Sequence, residues 1–155
     1  FLLMFDSIDH VNLVVADMST MKNFYRDVLG LEVTKEVTIR GQWIEEVVGL
    51  KDVEADVVYL ELADGPRIEL IKYQHPDGPT DQQRDQPNRH GIRHLAFRVK
   101  EMDLAVQRIK NAGARFFSEV AQVPESQVSY QGGVQKRLVY FTDPENNLLE
   151  LCEYR

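Results

Sequence analysis

The sequence predicts an α+β fold built from two tandem modules, each running strand, helix, strand, strand, strand. The first observation behind this is that the chain is written twice. Ile8-Asp9-His10-Val11 returns 84 residues later as Ile92-Arg93-His94-Leu95. Val58-Tyr59-Leu60, Ile68-Glu69-Leu70 and Tyr73 return 81 residues later as Val139-Tyr140-Phe141, Leu149-Glu150-Leu151 and Tyr154. The second observation is that each copy passes from a period-two apolar pattern to a helical one and back. The third is length: 155 residues suit a single domain burying roughly two thirds of its unfolded surface. Residues 1–155 thus read as one domain, with module one over about 6–73, a polar connector over 74–91 and module two over about 92–155.

Residues 8 to 15 (IDHVNLVV) alternate as a strand, and Asp17 or Ser19 can cap the helix that follows. That helix runs through Leu29 with Met21, Phe24, Tyr25, Val28 and Leu29 on one apolar face, and Gly30 ends it. Strands follow over 31 to 39, 56 to 62 and 67 to 73, with an inserted helical turn at 43 to 50 (WIEEVVGL). The stretch from Gln74 to Gly91 is rich in Pro, Asp, Gln and Gly and reads as the connector. The order then restarts: a strand at 93 to 99, a helix at 101 to 112 ended by Gly113, and strands near 115 to 120, 137 to 142 and 148 to 154. The loop 121 to 136, with Pro124 and Gly132-Gly133, is long and irregular and is a candidate lid.

A formal charge of -7, with no Lys/Arg cluster, argues against a nucleic-acid partner. The single cysteine, Cys152, excludes an internal disulfide framework and fits a reducing compartment, so the expected location is the cytoplasm. The apolar opening from Phe1 to Phe5 is too short for a signal segment and meets Asp6 at once. No stretch approaches the roughly 20 apolar residues of a membrane span, and no membrane partner is expected.

Strand parity decides where the repeated ionisable residues point. Val11, Leu13 and Val15 suit packing on the helix, which leaves His10 and Asn12 on the opposite face; Leu95, Phe97 and Val99 likewise leave His94, Ala96 and Arg98 opposite. Glu69 and Glu150, each flanked by apolar residues in IEL and LEL, also fall on the face away from the helix. A lone strand histidine or glutamate is ordinarily a surface group. Here two of only four histidines sit at repeat-matched places, and a charge within an apolar run needs a partner. Two halves facing each other would bring together two imidazoles and two carboxylates, a set suited to a divalent metal. His75 and His90 fall in the connector and read as solvent-facing; Cys152 shares the parity of Glu150 but reads as a buried filler.

His10 at the head of the first strand, the FYRDVLGLE helix end, Glu69 in IEL, His94 in GIRHLAF and Glu150 after TDPENN together resemble the vicinal oxygen chelate superfamily. The resemblance spans Ile8 to Tyr154. It implies a cupped eight-stranded mixed sheet with helices outside and a divalent metal in the cup, held by His10, Glu69, His94 and Glu150. The superfamily includes glyoxalase I, methylmalonyl-CoA epimerase, extradiol dioxygenases and metal-free bleomycin resistance-type binding proteins. A His, Glu, His, Glu set is nearest to bacterial-type glyoxalase I, which implies one nickel, cobalt or zinc per site, with iron or manganese as alternatives. Extradiol dioxygenases use two His and one Glu on iron, and the epimerase typically has glutamine at the place of Glu69. Where glyoxalase I places an arginine and an asparagine that hold glutathione, this chain has Val14 and Tyr73; Arg98 offers a cation at the corresponding place in module two.

The function so implied is a metal-dependent isomerase or lyase that chelates vicinal substrate oxygens and stabilises an enediolate, with Glu150 as the base and Glu69 as its near-symmetric partner. Asn12, Arg98, Tyr59 and Tyr140 are candidates for substrate contact. An iron-dependent dioxygenase, an epimerase-like enzyme and a non-catalytic small-molecule binder are the alternatives. The expected partners are a small molecule with adjacent oxygens and a second copy of the chain in a homodimer.

Overall fold

The computed structural model describes residues 2–155; Phe1, the first residue of the apolar opening, lies outside them. The chain forms two compact units, divided between Thr80 and Asp81, inside the polar connector.

In the first unit the strands are β1 (His10–Val14), β2 (Glu32–Arg40), β3 (Glu54–Glu61) and β4 (Arg67–His75), in the order β1-β4-β3-β2. β1 runs parallel to β4, and the other neighbours are antiparallel. The helix between β1 and β2 opens with Asp17, whose carboxylate accepts from the Thr20 amide at 3.1 Å and the Thr20 hydroxyl at 2.7 Å. It starts as an α-helix (α1, Met18–Asn23) and widens into a π-turn over Phe24–Val28, where the Leu29 amide reaches back five residues to the Phe24 carbonyl. Met21, Phe24 and Tyr25 are buried, and Gly30 takes the positive φ of 83° that ends the element. The inserted turn is a real helix, α2 (Gln42–Val48), anchored by Ile44.

The second unit repeats the plan with β5 (His94–Arg98), β6 (Ala121–Gln122), β7 (Lys136–Thr142) and β8 (Leu148–Tyr154) in the order β5-β8-β7-β6. Again the first strand is parallel to the last. α3 (Met102–Asn111) packs on β8 through Met102 and Ile109, both buried.

The expected strand near 115 to 120 differs. Only Phe116 bridges to Phe141, and the edge strand is the two-residue β6, inside the stretch expected to be irregular. Both Phe116 and Phe117 pack aromatic partners on β7, Phe141 and Tyr140, so ring packing takes the place of a regular ladder. The candidate lid is tied at its C-terminal end, where Gln135 and Arg155 exchange backbone hydrogen bonds of 2.7 and 3.0 Å.

Parity works as the alternation requires. Ile68 and Leu70 on β4, and Leu149 and Leu151 on β8, are buried and share their strands' helix-facing sides. Glu153, on that same side of β8, is buried with three partners. It accepts from the Met102 amide at 2.9 Å and pairs with Arg137 at 2.9 Å and Arg155 at 3.2 Å. The Met102 amide bond first, then Arg137, holds its carboxyl below the ordinary 4.5. A carboxyl depressed in the folded chain contributes stability that is full above about pH 4.5 and is lost as pH falls through the lower folded value. Glu153→Gln should therefore cost about 1–3 kcal/mol at neutral pH. In urea titrations its gap from the parent should narrow as the pH falls below about 4, whereas a gap constant with pH would refute the role.

Candidate functional site

Glu69 sits on β4 between two register partners, Asn12 on β1 and Tyr59 on β3. Asn12 donates its side-chain amide to Glu69 Oε1 at 3.2 Å, and the Tyr59 hydroxyl donates to Oε2 at 2.5 Å. Both oxygens are therefore occupied on a side chain only 12 % exposed. His10 comes from the head of β1, with Nε2 at 3.6 Å from Glu69 Oε1 and its ring edge-on to Tyr59. The other ring nitrogen, Nδ1, lies 2.6 Å from Asp9 Oδ2. Asp9 is held in turn by Arg67, whose guanidinium lies 4.7 Å over the Tyr59 ring. The bonds from His10 and then Arg67 keep the Asp9 carboxyl below its ordinary value.

The second unit builds the matching pair differently. The turn before β8 is set by Asp143, which accepts from the Glu145 and Asn147 amides at 2.9 and 3.0 Å, while Asn146 takes a left-handed φ of 65°. Glu150 follows, 5 % exposed, between Ala96 on β5 and Tyr140 on β7. His94 Nε2 lies 3.5 Å from Glu150 Oε1, and its ring is 5.0 Å from that of Tyr140. The neighbour of Oε2 is a cation, Lys136 Nζ, at 3.8 Å. Ala96 stands where the first unit has Asn12, and Lys136, the partner of Tyr154, stands where the first unit has Ala55, the partner of Tyr73.

His10, Asn12, Tyr59 and Glu69 thus gather in one unit, and His94, Tyr140 and Glu150 in the other. Arg98 lies further along β5, against the Tyr154 ring at 4.7 Å. His75 and His90 are exposed, and His75 belongs to the end of β4. Cys152 is buried, and burial first, then the Glu150 charge, pushes its thiol up, away from nucleophile chemistry. Sequence reading missed Asp9, Arg67 and Lys136. Arg67 and Lys136 carry a period-two signal, each lying on the strand face of the glutamate or tyrosine singled out beside it.

The donor chemistry fits a divalent cation. Each imidazole–carboxylate pair is too far apart for a hydrogen bond. That spacing is close to the separation of neighbouring ligand atoms around a metal with bonds of about 2.0–2.2 Å. In neither unit do the described residues add a third His, Cys, Asp or Glu to make a metal-holding group. Each pair by itself supplies two donor atoms.

Two repeated modules of four mixed strands, each presenting a His–Glu pair on the sheet face away from its helix, define a fold class with a clear sequence counterpart. Residues 7–151 match the Glyoxalase/Bleomycin resistance protein/Dioxygenase superfamily, and the chain belongs to it. It is 31% identical over 148 residues to the uncharacterized protein YwkD of Bacillus subtilis, covering 95% of this chain and 96% of that one. It is 28% identical over 116 residues to mouse mitochondrial methylmalonyl-CoA epimerase, covering 75% of this chain and 58% of the epimerase. Among solved structures, a glyoxalase family protein from Bacillus cereus superposes with a TM-score of 0.81 at 28% identity, over 99% of this chain and 96% of that one.

The short bond to Glu69, then burial, pushes the Tyr59 phenol up to about 12. Titrated by ring NMR shifts or ultraviolet absorbance, Tyr59 should stay protonated beyond pH 11, and Glu69→Gln should bring it back toward the ordinary 10.0. A Tyr59 that ionises near 10 in the parent would remove the bond from the description.

Proposed function

We propose that this chain is a divalent-metal-dependent enzyme of the isomerase or lyase type, moving a proton on a small molecule with two adjacent oxygens. The observation that carries the proposal is the repeated imidazole–carboxylate pair, closely matched in spacing and unlike in surroundings. In this proposal His10, Glu69, His94 and Glu150 hold one nickel, cobalt or zinc ion. When bound, such an ion supplies a Lewis acid for the substrate oxygens and for the charge that gathers on them as the proton leaves. Likeness to an epimerase supports proton transfer over oxygen chemistry.

The two glutamates divide the work. Glu69, with a donor on each oxygen, stays in place. Glu150 has a cation beside Oε2 and no register partner that donates to it, since Ala96 replaces the amide of Asn12. It is the group free to turn and take a proton, and Lys136 stabilises its charged form before the transfer. A positioned base of this kind contributes roughly 10²- to 10⁴-fold. A cytoplasmic homodimer completes the proposal; the single, buried Cys152 supports the reducing compartment.

The test is metal analysis together with assays on methylmalonyl-CoA, methylglyoxal with glutathione, and catechols. Glu150→Gln should lower turnover about 10²- to 10⁴-fold while metal stays bound, because an amide oxygen still ligates but accepts no proton near neutral pH. Glu69→Gln should keep more activity. Near-native turnover in Glu150→Gln would show that the base has been misassigned. His94→Ala should empty the metal site as read by elemental analysis, and His75→Ala and His90→Ala should leave it filled. The opposite pattern would mean the wrong histidines carry the proposal, and iron with oxygen consumption on a catechol would replace it with a dioxygenase.

A further inference from the structure

On the same sheet face as Glu150, the second unit carries a cluster that proton abstraction alone does not require. Tyr154, at the end of β8, lies on the strand between β5 and β7 and takes a cation from each side. Arg98 from β5 places its guanidinium 4.7 Å from the ring centroid, and Lys136 from β7 places Nζ at 5.4 Å. The Tyr130 ring meets the same ring edge-on at 5.5 Å. Stacking on a ring limits the rotamers of long cationic side chains, so their head groups are presented at defined places.

The two cations together outnumber the carboxylates beside them. Among the described residues Arg98 has no carboxylate within ion-pair distance, although it is exposed in a chain of net charge -7. Lys136 has a single one, Glu150 at 3.8 Å, on a side chain only 18 % exposed. In the first unit the one stacked guanidinium, Arg67 over Tyr59, is paired with Asp9, and Tyr73, the counterpart of Tyr154, lacks the matching cations. The position of Arg98 is Val14 there, and that of Lys136 is Ala55. The pair of cations is an addition to the repeat, made beside the carboxylate assigned as base.

We propose that Arg98, Lys136 and Tyr154 form a subsite for a carboxylate of the substrate, so that the molecule worked on is an organic acid whose labile C–H is delivered to Glu150. The inference rests on the assignment of Glu150 as proton acceptor. An anionic substrate approaching an ionised base meets like charge, and two cations at the approach offset it. The planar fork of a guanidinium matches the two oxygens of a carboxylate, and an ammonium adds a compact second charge. Neutral dicarbonyl substrates have no use for either.

The probe is malonate, with dimethyl malonate as its neutral counterpart, titrated into the full chain stripped of metal over a chelating resin. The readout is the side-chain Nε–H resonance of Arg98 in 15N-labelled protein. Malonate should shift it saturably and dimethyl malonate should not. Arg98→Met, followed by backbone amide shifts around Tyr154, and Lys136→Met should each weaken malonate at least tenfold. Lys51→Met, which removes the same charge from an exposed turn, should leave the affinity unchanged. An Arg98 resonance that ignores malonate overturns the subsite, as does equal weakening by Lys51→Met, the sign of a general charge effect. Because these titrations contain no metal, their failure beside intact metal binding removes the subsite alone. Failure of the metal and Glu150→Gln experiments removes the proposed function instead.

Discussion

A charged carboxylate in the middle of an apolar strand is the constraint on which each unit depends. Ile68 and Leu70 flank Glu69, and Leu149 and Leu151 flank Glu150; all four aliphatic side chains are buried. Burying each is worth about 1.5–3 kcal/mol, so a slip of one residue along the ladder would lose that stabilisation and turn the acid into the helix-facing core. Leaving such a charge there without partners costs several kcal/mol more. The pattern IEL or LEL therefore locks the register. The locked register in turn fixes which residues of the adjoining strands stand beside the acid.

The two units meet the demand in different ways. Glu69 is satisfied by neutral donors, Asn12 and Tyr59; hydrogen bonds to a charged group contribute about 1.5–3 kcal/mol each and are directional. Glu150 stands beside a cation, and an ion pair near 4 Å is worth about 4 kcal/mol at an effective dielectric of 20 while tolerating small rotations. The first arrangement favours one rotamer. The second holds the charge through a less directional contact, which is compatible with the proposed role of Glu150 as proton acceptor. Across the repeat Asn12 becomes Ala96 and Ala55 becomes Lys136, and the bond that Tyr59 gives Glu69 has no counterpart from Tyr140.

The repeat made much of this readable beforehand. Periodicity located α1, α2, α3, β1 to β5, β7 and β8 to within a few residues, and parity placed both His–Glu pairs on the face away from the helices. What escaped it shares a cause. The widening of α1 into a π-turn is a change of hydrogen-bond partner, invisible in a pattern that keeps Met21, Phe24 and Tyr25 on one side. The edge segment around Phe116 alternates well enough to read as a strand, yet its ring stacks on Phe141 and the ladder stays at a single bridge. Lys136 and Arg67 act across strands, so their roles appear only once the register is known. Asp9 lies one residue outside β1, where strand parity no longer says where a side chain points.

Asp9 also separates the two imidazoles. With its carboxylate accepting the Nδ1 proton of His10, the lone pair is left at Nε2, turned toward Glu69 Oε1 3.6 Å away. In the neutral form of the ring these are two acceptors facing each other, an arrangement that a cation between them would satisfy. That gives this pair a physical reason to take up a cation. In the second unit Arg93 occupies the place of Asp9, and a guanidinium cannot accept the Nδ1 proton; the neighbours of His94 there are the Tyr140 ring and Glu150. The first unit thus holds its imidazole and carboxylate from several sides, through Asp9, Asn12 and Tyr59. The second sets its carboxylate beside a cation, with Arg98 and Lys136 along the same face, and on that asymmetry rests the proposal that Glu150 is the base.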